Sequence, residues 1–313
     1  MNERPQKDKE KNEAPALWTL QNTDCQVTLC PDVGGTIARF SWRGHEILRP
    51  APDTAIHERL VRQMGCYPLI PFSNRVGHAE LIVGEQHYRL RANDQPELHA
   101  LHGFGWQRAW HVTSHTGDAV ELSLTHTPDV DWPFACDALQ GMRLIDNTLT
   151  LRLRVRNTDK RPMPAGIGFH PYFPINRDTT LQTRWKGMWQ MGADSLPAEL
   201  VAVPPEADFS QSRPIDLWKV DNCFTGWNRR AVLDYPTHRV QLDASSGCRQ
   251  IVCFSPGDGR RFIALEPVTN INNAFALAAK GVADTGMQML AAGKTLAVSL
   301  SIAVSARQGA NSS

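Results

Sequence analysis

The strongest constraint on how this chain folds is a period of two in its apolar residues. In the segment LTLRLRVRN, residues 149–157, leucine and valine alternate with threonine and arginine, so apolar side chains face one side and polar side chains the other. The same alternation recurs in AVELSLTHT, TLAVSLSIAV, QVTLC and RVQLD. Strands with one buried and one solvated face have this pattern, and such strands are typical of antiparallel sheets.

Turn-forming residues separate these runs. Arg43-Gly44, Val83-Gly84-Glu85 and Gly257-Asp258-Gly259 each lie between two strand-like segments and therefore predict hairpins. The best helical candidate, FALAAKGV, is short and apolar all round, so helices are expected only as additions to a β scaffold. Without a repeat of fixed period, the pattern predicts an all-β fold in which two large antiparallel sheets pack as a β-sandwich.

Composition along the chain predicts one large domain with two tails. Residues 1–16 alternate charges with almost no large apolar side chain, so we expect a flexible N-terminal tail. Residues 17–308 are predicted to form a single β-sandwich domain, and residues 309–313 a second flexible tail. The loop-rich segment 197–214 is interpreted as a long excursion within that domain.

Charge and cysteine content exclude several classes of protein. A formal net charge of +1 provides no long-range field for phosphates or anionic lipid, so neither nucleic acid nor a membrane surface is an expected partner. No apolar run approaches the roughly 18 residues of a membrane helix, and the N-terminus does not have the apolar core of a signal peptide. The seven cysteines are scattered without a Cys-x-x-Cys pair, which predicts a cytoplasmic protein with free thiols.

Two segments place polar side chains where a small ligand could be bound. Asn74-Arg75 follow PLIPFS in a predicted loop before a strand near Ala79, and the arginine donor fork suits sugar hydroxyls and ring oxygens. His102 lies in LHGFGW, beside glycines that permit close backbone approach. His99 lies three residues earlier, but no further ligand cluster is near in sequence, so no metal site is predicted. A solvated loop arginine and an ordinary loop histidine are the alternatives.

Three further segments carry acid-base candidates. His170 in GIGFHPYF has aromatic neighbours that suggest a partly desolvated wall, although a buried structural histidine would look the same. Asp221 in WKVDNCF could bind a ligand or simply form a turn with Asn222. Glu266 ends the apolar run FIAL before a proline, and a carboxylate there is costly to bury unless it is hydrogen-bonded or functional.

In this order, the segments NRV, LHG, FHPYF, VDNCF and LEP resemble the successive motifs of the aldose 1-epimerase family, also called galactose mutarotases. The resemblance extends from about Thr23 to Val304 and is greatest for a less characterised bacterial branch. It implies a galactose mutarotase-like supersandwich with its site in a groove across one sheet. It also implies a general base, a general acid and a set of sugar-binding side chains, which would be Glu266, His170, and Asn74, Arg75, His102 and Asp221.

The implied reaction interconverts the α and β anomers of a hexose by opening and reclosing its ring. It requires one group that removes the proton of the anomeric hydroxyl and one that protonates the ring oxygen. No electron or group leaves the sugar, so no cofactor and no metal are expected. The sequence contains no P-loop, Gly-x-Gly-x-x-Gly or Gly-x-Ser-x-Gly motif.

Three positions depart from the family pattern and are expected to line the site and alter substrate choice: Phe104, Pro174 and Val268. One alternative function is a hexose-phosphate 1-epimerase, for which Arg229-Arg230 or Arg260-Arg261 would form the basic clamp. Others are a catalytically silent sugar-binding protein, or a structural sandwich that packs beside catalytic domains. A small-molecule sugar is the expected partner, and the chain is expected to be a monomer or homodimer.

Overall fold

A computed structural model describes residues 14–96 and 98–307 of the chain. The predicted N-terminal tail lies largely outside the described residues, and the predicted C-terminal tail lies wholly outside them. Residues 14–16 belong to no regular element, and the backbone N–H of Ala16 donates to Asp32 Oδ2 at 3.1 Å. The described residues include no helix that is both long enough and apolar enough to span a bilayer.

Short strands make up most of the described chain. The first nine are β1 Trp18–Gln21, β2 Cys25–Cys30, β3 Thr36–Trp42, β4 His45–Glu46, β5 Pro68–Leu69, β6 Arg75–Val76, β7 Glu80–Val83, β8 Gln86–Arg89 and β9 Ala100–Leu101. The next nine are β10 His111–His115, β11 Ala119–His126, β12 Cys136–Ile145, β13 Thr148–Asn157, β14 Met163–Ala165, β15 Gly168–Phe169, β16 Tyr172–Pro174, β17 Thr180–Thr183 and β18 Gly187–Met191. The last are β19 Pro197–Ala202, β20 Arg213–Pro214, β21 Val220–Thr225, β22 Arg230–Asp234, β23 His238–Ala244, β24 Gln250–Ser255, β25 Phe262–Val268, β26 Gln288–Leu290 and β27 Thr295–Ala306.

Helices only decorate this scaffold, as the sequence predicted. The α-helices are α1 Asp53–His57 and α2 Ala274–Ala279, the second of which contains much of the FALAAKGV segment. Single turns of 3₁₀-helix cover Val61–Gln63, Gly77–Ala79, Gly105–Gln107 and Pro205–Ala207.

The largest sheet contains the alternating segments and runs in the order β10-β11-β12-β13-β27-β23-β22-β17-β20. Leu149, Leu151, Leu153 and Val155 of β13 are buried, while the arginines between them are exposed, so the predicted alternation is confirmed. β27 pairs antiparallel with β13 and buries every second residue in the same way. The arginines therefore form the solvated face of this sheet.

The second large sheet runs in the order β19-β18-β21-β24-β25-β15-β5, with β16 also paired to β25. Its central strand, β25, is buried along its whole length. Ile263 and Leu265 point to one face and join the same core as the apolar residues of β13 and β27. The two sheets therefore pack face to face, which confirms the predicted antiparallel β-sandwich.

The three predicted hairpins are present, connecting β3 to β4, β7 to β8 and β24 to β25. The segment 197–214 is more ordered than expected, because it contributes β19 to the edge of one large sheet and β20 to the edge of the other. Smaller pairings complete the fold, including the four-stranded sheet β1-β2-β3-β4 and the two-stranded pair β6-β9.

Candidate active site

The outer face of the second sheet carries the candidate site. Because side chains alternate along a strand, Phe262, Ala264 and Glu266 of β25 point away from the core that Ile263 and Leu265 join. Above them lies a cavity of about 240 Å³. It is lined by Arg49, Arg62, Tyr67, Asn74, Arg75, Asp94, Leu101, His102, His170, Tyr172, Asp221, Phe254, Arg260, Phe262 and Glu266.

Glu266 and His170 form a buried acid-base pair at this cavity. Glu266 Oε1 lies 3.1 Å from His170 Nε2, and both side chains are almost completely buried. Among the described residues, the second carboxylate oxygen, Oε2, has no hydrogen-bond partner, and neither has His170 Nδ1. Buried polar atoms without partners are uncommon, and a catalytic role is one explanation for them.

Burial shifts the pKa of the two groups in opposite directions. The pKa of Glu266 is raised well above its usual value by desolvation and by the charge of Asp221, against a smaller lowering by Arg75. The pKa of His170 is lowered by desolvation, and further by His102 and Arg49. Each shift disfavours the charged form of its own group. The surroundings therefore favour a protonated, neutral Glu266 beside a neutral His170, so that the pair carries one proton and no net charge.

Two tyrosines extend the hydrogen bonds of the pair. Tyr172 Oη lies 3.4 Å from His170 Nε2, and Tyr67 Oη lies 3.1 Å from Tyr172 Oη. The Tyr172 ring stacks on the His170 imidazole at a centroid distance of 4.5 Å, and burial raises the pKa of Tyr172 to about 12. Both hydroxyls therefore remain protonated and keep the imidazole in one orientation.

Arg75 is positioned by a carboxylate that the sequence analysis missed. Asp94 is buried and accepts from Arg75 Nε at 3.2 Å and from Arg62 Nη2 at 3.1 Å. The Arg75 side chain also donates from Nη1 to Asn74 Oδ1 at 3.4 Å. Because its guanidinium is held on two sides, its remaining N–H groups face the cavity in a defined geometry.

Asn74 and His102 support each other through reciprocal hydrogen bonds. The backbone N–H of His102 donates to the carbonyl of Asn74 at 2.9 Å, and the backbone N–H of Asn74 donates to His102 Nδ1 at 3.0 Å. Burial, with Arg75 and Arg62, lowers the pKa of His102, so its imidazole is neutral. Since Nδ1 accepts a hydrogen bond, the proton is on Nε2, which makes His102 a donor to a ligand.

The Asn74 loop is anchored from below by asparagines that follow β25. Asn270 Oδ1 accepts from the Ser73 backbone N–H at 3.2 Å, and Asn270 Nδ2 donates to the Ser73 carbonyl at 3.1 Å. The backbone N–H of Asn273 donates to the Arg75 carbonyl at 2.8 Å. The segment that carries Arg75 is thus tied to the strand that carries Glu266, although nearly 200 residues separate them in sequence.

Gly103 has a positive φ of 68° directly after His102, which is itself left-handed at 58°. A Cβ atom at Gly103 would lie 2.0 Å from the carbonyl oxygen of Ile70, which accepts from the N–H groups of Phe104 and Gly105. We expect Gly103→Ala to lower the free energy of unfolding and to displace His102, because backbone rather than a flexible side chain blocks the methyl group.

Gly84 provides the matched control for this prediction, since its φ is 59° and nothing lies within 4 Å of a Cβ placed there. Gly84→Ala should be destabilised by about 1–2 kcal/mol through its left-handed backbone alone. Gly103→Ala should be destabilised by about 1–3 kcal/mol more. Chemical denaturation of both variants measures the difference, and equal losses would show that the Ile70 contact has no energetic role.

Asp221 lies across the cavity from the Asn74 loop. It belongs to β21, where it pairs with Phe254 of β24, and is therefore a strand residue rather than part of a turn. The residue is accessible at the cavity mouth, but the surrounding walls desolvate its carboxylate and raise its pKa, and Asp94 adds to the effect against Arg75. A carboxylate here can accept hydrogen bonds from a ligand that enters the cavity.

Two histidines and one carboxylate of the site could also hold a metal ion. Ligand atoms of His102, His170 and Glu266 lie within 4.8 Å of one another, and all three residues are buried. The sequence analysis predicted no metal site because it found no ligand cluster near His99 and His102 in sequence. In the structure the possible co-ligands of His102 are His170 and Glu266, which come from distant segments. A bound ion would occupy the same carboxylate and imidazole that form the acid-base pair, so the two uses of the site are mutually exclusive.

All six site residues predicted from the sequence line one cavity: Asn74, Arg75, His102, His170, Asp221 and Glu266. Arg75 is not in a loop as predicted, because it begins the short strand β6 opposite Leu101 of β9. The sequence analysis did not identify five other lining residues that carry charged or hydroxyl groups, which are Arg49, Arg62, Tyr67, Asp94 and Tyr172. Of these, Tyr172 lies within the HPYF motif and could have been found there.

Several expected positions lie elsewhere. None of the three departures from the family pattern lines the cavity: Phe104 is buried against His126 at a ring distance of 4.1 Å, and neither Pro174 nor Val268 reaches the cavity wall. Of the proposed basic clamps, only Arg260 lines the cavity. The remaining arginines that form ion pairs do so outside it, Arg230 with Asp243 and Arg261 with Asp216.

The fold is a galactose mutarotase-like β-sandwich, and comparison with known proteins shows the family. Residues 16–303 match the family described as aldose 1-epimerase, and the chain belongs to this family. It is 34% identical over 264 residues to the uncharacterized protein YphB of Escherichia coli K12, an alignment that covers 81% of this chain and 88% of that protein.

Solved structures give the same fold. A putative aldose 1-epimerase from Escherichia coli K12 superimposes with a TM-score of 0.85 at 27% identity, covering 93% of this chain and 99% of that one. The galactose 1-epimerase of Lactobacillus acidophilus superimposes with a TM-score of 0.76 at 16% identity, covering 97% of each chain. At that identity the second comparison concerns the fold alone.

Proposed function

We propose that this protein is an aldose 1-epimerase that interconverts the α and β anomers of a hexose. The observation that carries the proposal is the 3.1 Å contact between the buried Glu266 carboxylate and the His170 imidazole at a sugar-sized cavity. Family membership supports the reaction class. Neither Glu266 nor His170 lies at the sharp turn between a strand and a helix where covalent nucleophiles are often found. The proposed reaction requires only proton transfer.

In the proposed mechanism, Glu266 removes the proton from the anomeric hydroxyl while His170 protonates the ring oxygen. The bond between C1 and the ring oxygen breaks, and C1 becomes an aldehyde carbon. Rotation about the bond between C1 and C2 then presents the other face of the carbonyl. Reclosure returns the first proton from Glu266 to the new anomeric hydroxyl, and His170 takes back the proton of the ring oxygen.

The opposed pKa shifts suit this exchange. Before ring opening the pair acts as a carboxylate and an imidazolium, and after it as a carboxylic acid and a neutral imidazole. The pair therefore holds one proton in each state. Burial raises the pKa of Glu266 and lowers that of His170, so the surroundings favour the state reached on ring opening. The charged pair therefore costs free energy to form, and proton transfer during ring opening recovers that cost.

The other predicted residues supply orientation. Arg75 and the Nε2–H of His102 donate to the sugar, and the Asp221 carboxylate accepts from its hydroxyl groups. Asn74 acts mainly as a positioning residue, because its backbone N–H occupies His102 Nδ1 and its side chain contacts Arg75. A ligand held by donors on one side and an acceptor on the other places its anomeric carbon beside Glu266.

We further propose that residues 17–308 form a single domain and act in the cytoplasm as a monomer or homodimer. One core cluster contains residues from Leu20 to Val304, which supports a single domain. All seven cysteines are free and buried, which supports a reducing compartment.

The test is anomer exchange of freshly dissolved α-glucose and α-galactose, followed by polarimetry or by NMR with and without the wild-type protein. We expect acceleration over the uncatalysed rate that a chelator leaves unchanged. Loss of activity with chelator and recovery with zinc would assign His102, His170 and Glu266 to a metal instead. A folded protein that binds these sugars without accelerating exchange would be a silent binding protein.

A further inference from the structure

The charges of the cavity are unevenly matched. Its walls carry four arginines, Arg49, Arg62, Arg75 and Arg260, and three carboxylates, Asp94, Asp221 and Glu266. Asp94 pairs with both Arg62 and Arg75, and Arg260 pairs with Asp258 at 2.7 Å outside the cavity lining. Among the described residues, Arg49 is the one cavity arginine that contacts no carboxylate.

Arg49 is nonetheless held firmly. Its Nη2 donates to the backbone carbonyls of Arg62 at 2.7 Å and Met64 at 2.9 Å. Its guanidinium lies 3.9 Å from the centroid of the Tyr172 ring and 4.6 Å from that of Phe262. Its Nε is buried and has no hydrogen-bond partner in the described part of the chain. A half-buried cation with an unused donor and no counter-charge is costly unless an anion completes it.

A second cation lies beside it. The Arg260 guanidinium is 5.6 Å from the centroid of the same Phe262 ring. Desolvation lowers the pKa of Arg49, and the like charge of Arg260 adds a smaller lowering. The Arg49 and Arg260 guanidiniums, placed on one aromatic side chain, form a positively charged corner of the cavity, which we call the arginine corner.

The Tyr172 ring connects the arginine corner to the acid-base pair. The His170 imidazole stacks on the Tyr172 ring at 4.5 Å, and the Arg49 guanidinium lies over Tyr172 at 3.9 Å. Arg49 and His170 therefore both pack against the Tyr172 ring. On β25, Phe262 points to the same face as Glu266 but lies four residues earlier. In a pyranose with its anomeric carbon at Glu266 and its ring oxygen at His170, C6 is attached to the carbon next to the ring oxygen and would be directed toward this corner.

Resting on the proposed epimerase function, we infer that the substrate is an anionic hexose whose oxyanion at the C6 end is bound by Arg49 and Arg260. A 6-phosphate and a C6 carboxylate share the chemistry that the corner recognises, because planar guanidiniums donate paired hydrogen bonds to either. The phosphate extends further from the ring than the carboxylate, so the depth of the corner distinguishes the two.

The experiment compares anomer exchange of glucose, glucose 6-phosphate and glucuronate under identical salt. The readout is the ratio of kcat/KM for each anionic sugar to that for glucose. We expect a wild-type ratio of at least about tenfold for one of the two anions. Arg49→Gln and Arg260→Gln should each lower that ratio by about tenfold or more.

Arg261→Gln is the matched control, because this neighbouring arginine is exposed, pairs with Asp216 and does not line the cavity. It should keep the wild-type ratio. Since Arg49 packs on Tyr172, its variant could also affect the imidazole, but the ratio cancels a general loss of rate. The exposed Arg260 provides an independent variant with little effect on folding.

The possible failures are distinguishable. Turnover of glucose without preference for either anion, or a preference that both variants retain, would overturn the arginine corner and leave the epimerase function intact. If folded wild type turns over none of the three sugars, the epimerase proposal fails. Calorimetry on the same ligands then tests the arginine corner. Tighter binding of an anionic sugar than of glucose, lost in Arg49→Gln, would support the corner. Equal binding of all three sugars would overturn it.

Discussion

Glu266→Gln is expected to lower kcat for anomer exchange by about 10² to 10⁴-fold while the protein remains folded. Glutamine has nearly the same shape as glutamate and keeps an oxygen that can face His170 Nε2, but it has no basic oxygen to accept the proton of the anomeric hydroxyl. The change therefore removes the chemistry of the group with little change to packing. Polarimetry on the substrate that the wild type prefers measures the loss.

The stability of this variant provides an internal check with a defined sign. The fold raises the pKa of Glu266 above its unfolded value, so the stability contributed by this group is fully present below the unfolded pKa. It is lost as the pH rises through the folded pKa. The glutamine of the variant does not titrate, so the melting temperature of the variant should rise relative to that of the wild type as the pH rises. Between the two pKa values, the difference in unfolding free energy should grow by about 1.4 kcal/mol for each step of one in pH.

Both proteins retain His170, but it contacts residue 266, so the difference in unfolding free energy between them reports the titration of the Glu266–His170 pair. A difference that does not change from mild acid to mild alkali would show that the carboxylate is not desolvated as described. Unchanged turnover in a variant of normal stability would remove Glu266 from the role of base.

His170→Asn is expected to have a comparable effect, a loss of about 10² to 10⁴-fold in kcat, because asparagine cannot protonate the ring oxygen. The variant should still bind the sugar, since the donors of Arg75 and His102 are held by Asp94 and Asn74 rather than by His170. We therefore expect a small change in KM beside a large change in kcat. Anomer exchange over a range of sugar concentrations separates the two.

His238→Asn is a suitable control for the loss of a buried histidine. His238 belongs to β23 of the other large sheet, is buried, and has its pKa lowered to about 4 mainly by desolvation. Its replacement should alter stability but leave kcat near the wild-type value. Equal losses of kcat in the two variants would indicate that the effect of His170→Asn arises from general disruption and would contradict its assignment as the acid.

Much of the fold followed from local patterns. The alternation in β13 and β27 predicted strands with one buried face, since burial depends on which side of a strand a residue occupies. The glycine-containing turns predicted hairpins for a similar reason, because few residues tolerate left-handed backbone. The order of strands in each sheet did not follow, because β13 pairs with β27 across more than a hundred residues.

For the site, too, some features could be predicted from the sequence and others could not. The sequence specified which residue types were available, and the family resemblance of the motifs containing Arg75, His102, His170 and Glu266 predicted that they lie together. Only the tertiary structure identified Asp94 as the partner of Arg75 and placed Arg49 beside Tyr172 without a counter-charge. Short-range patterns report burial and turn geometry, whereas pKa shifts and charge pairing depend on distances and desolvation that arise only when distant segments meet.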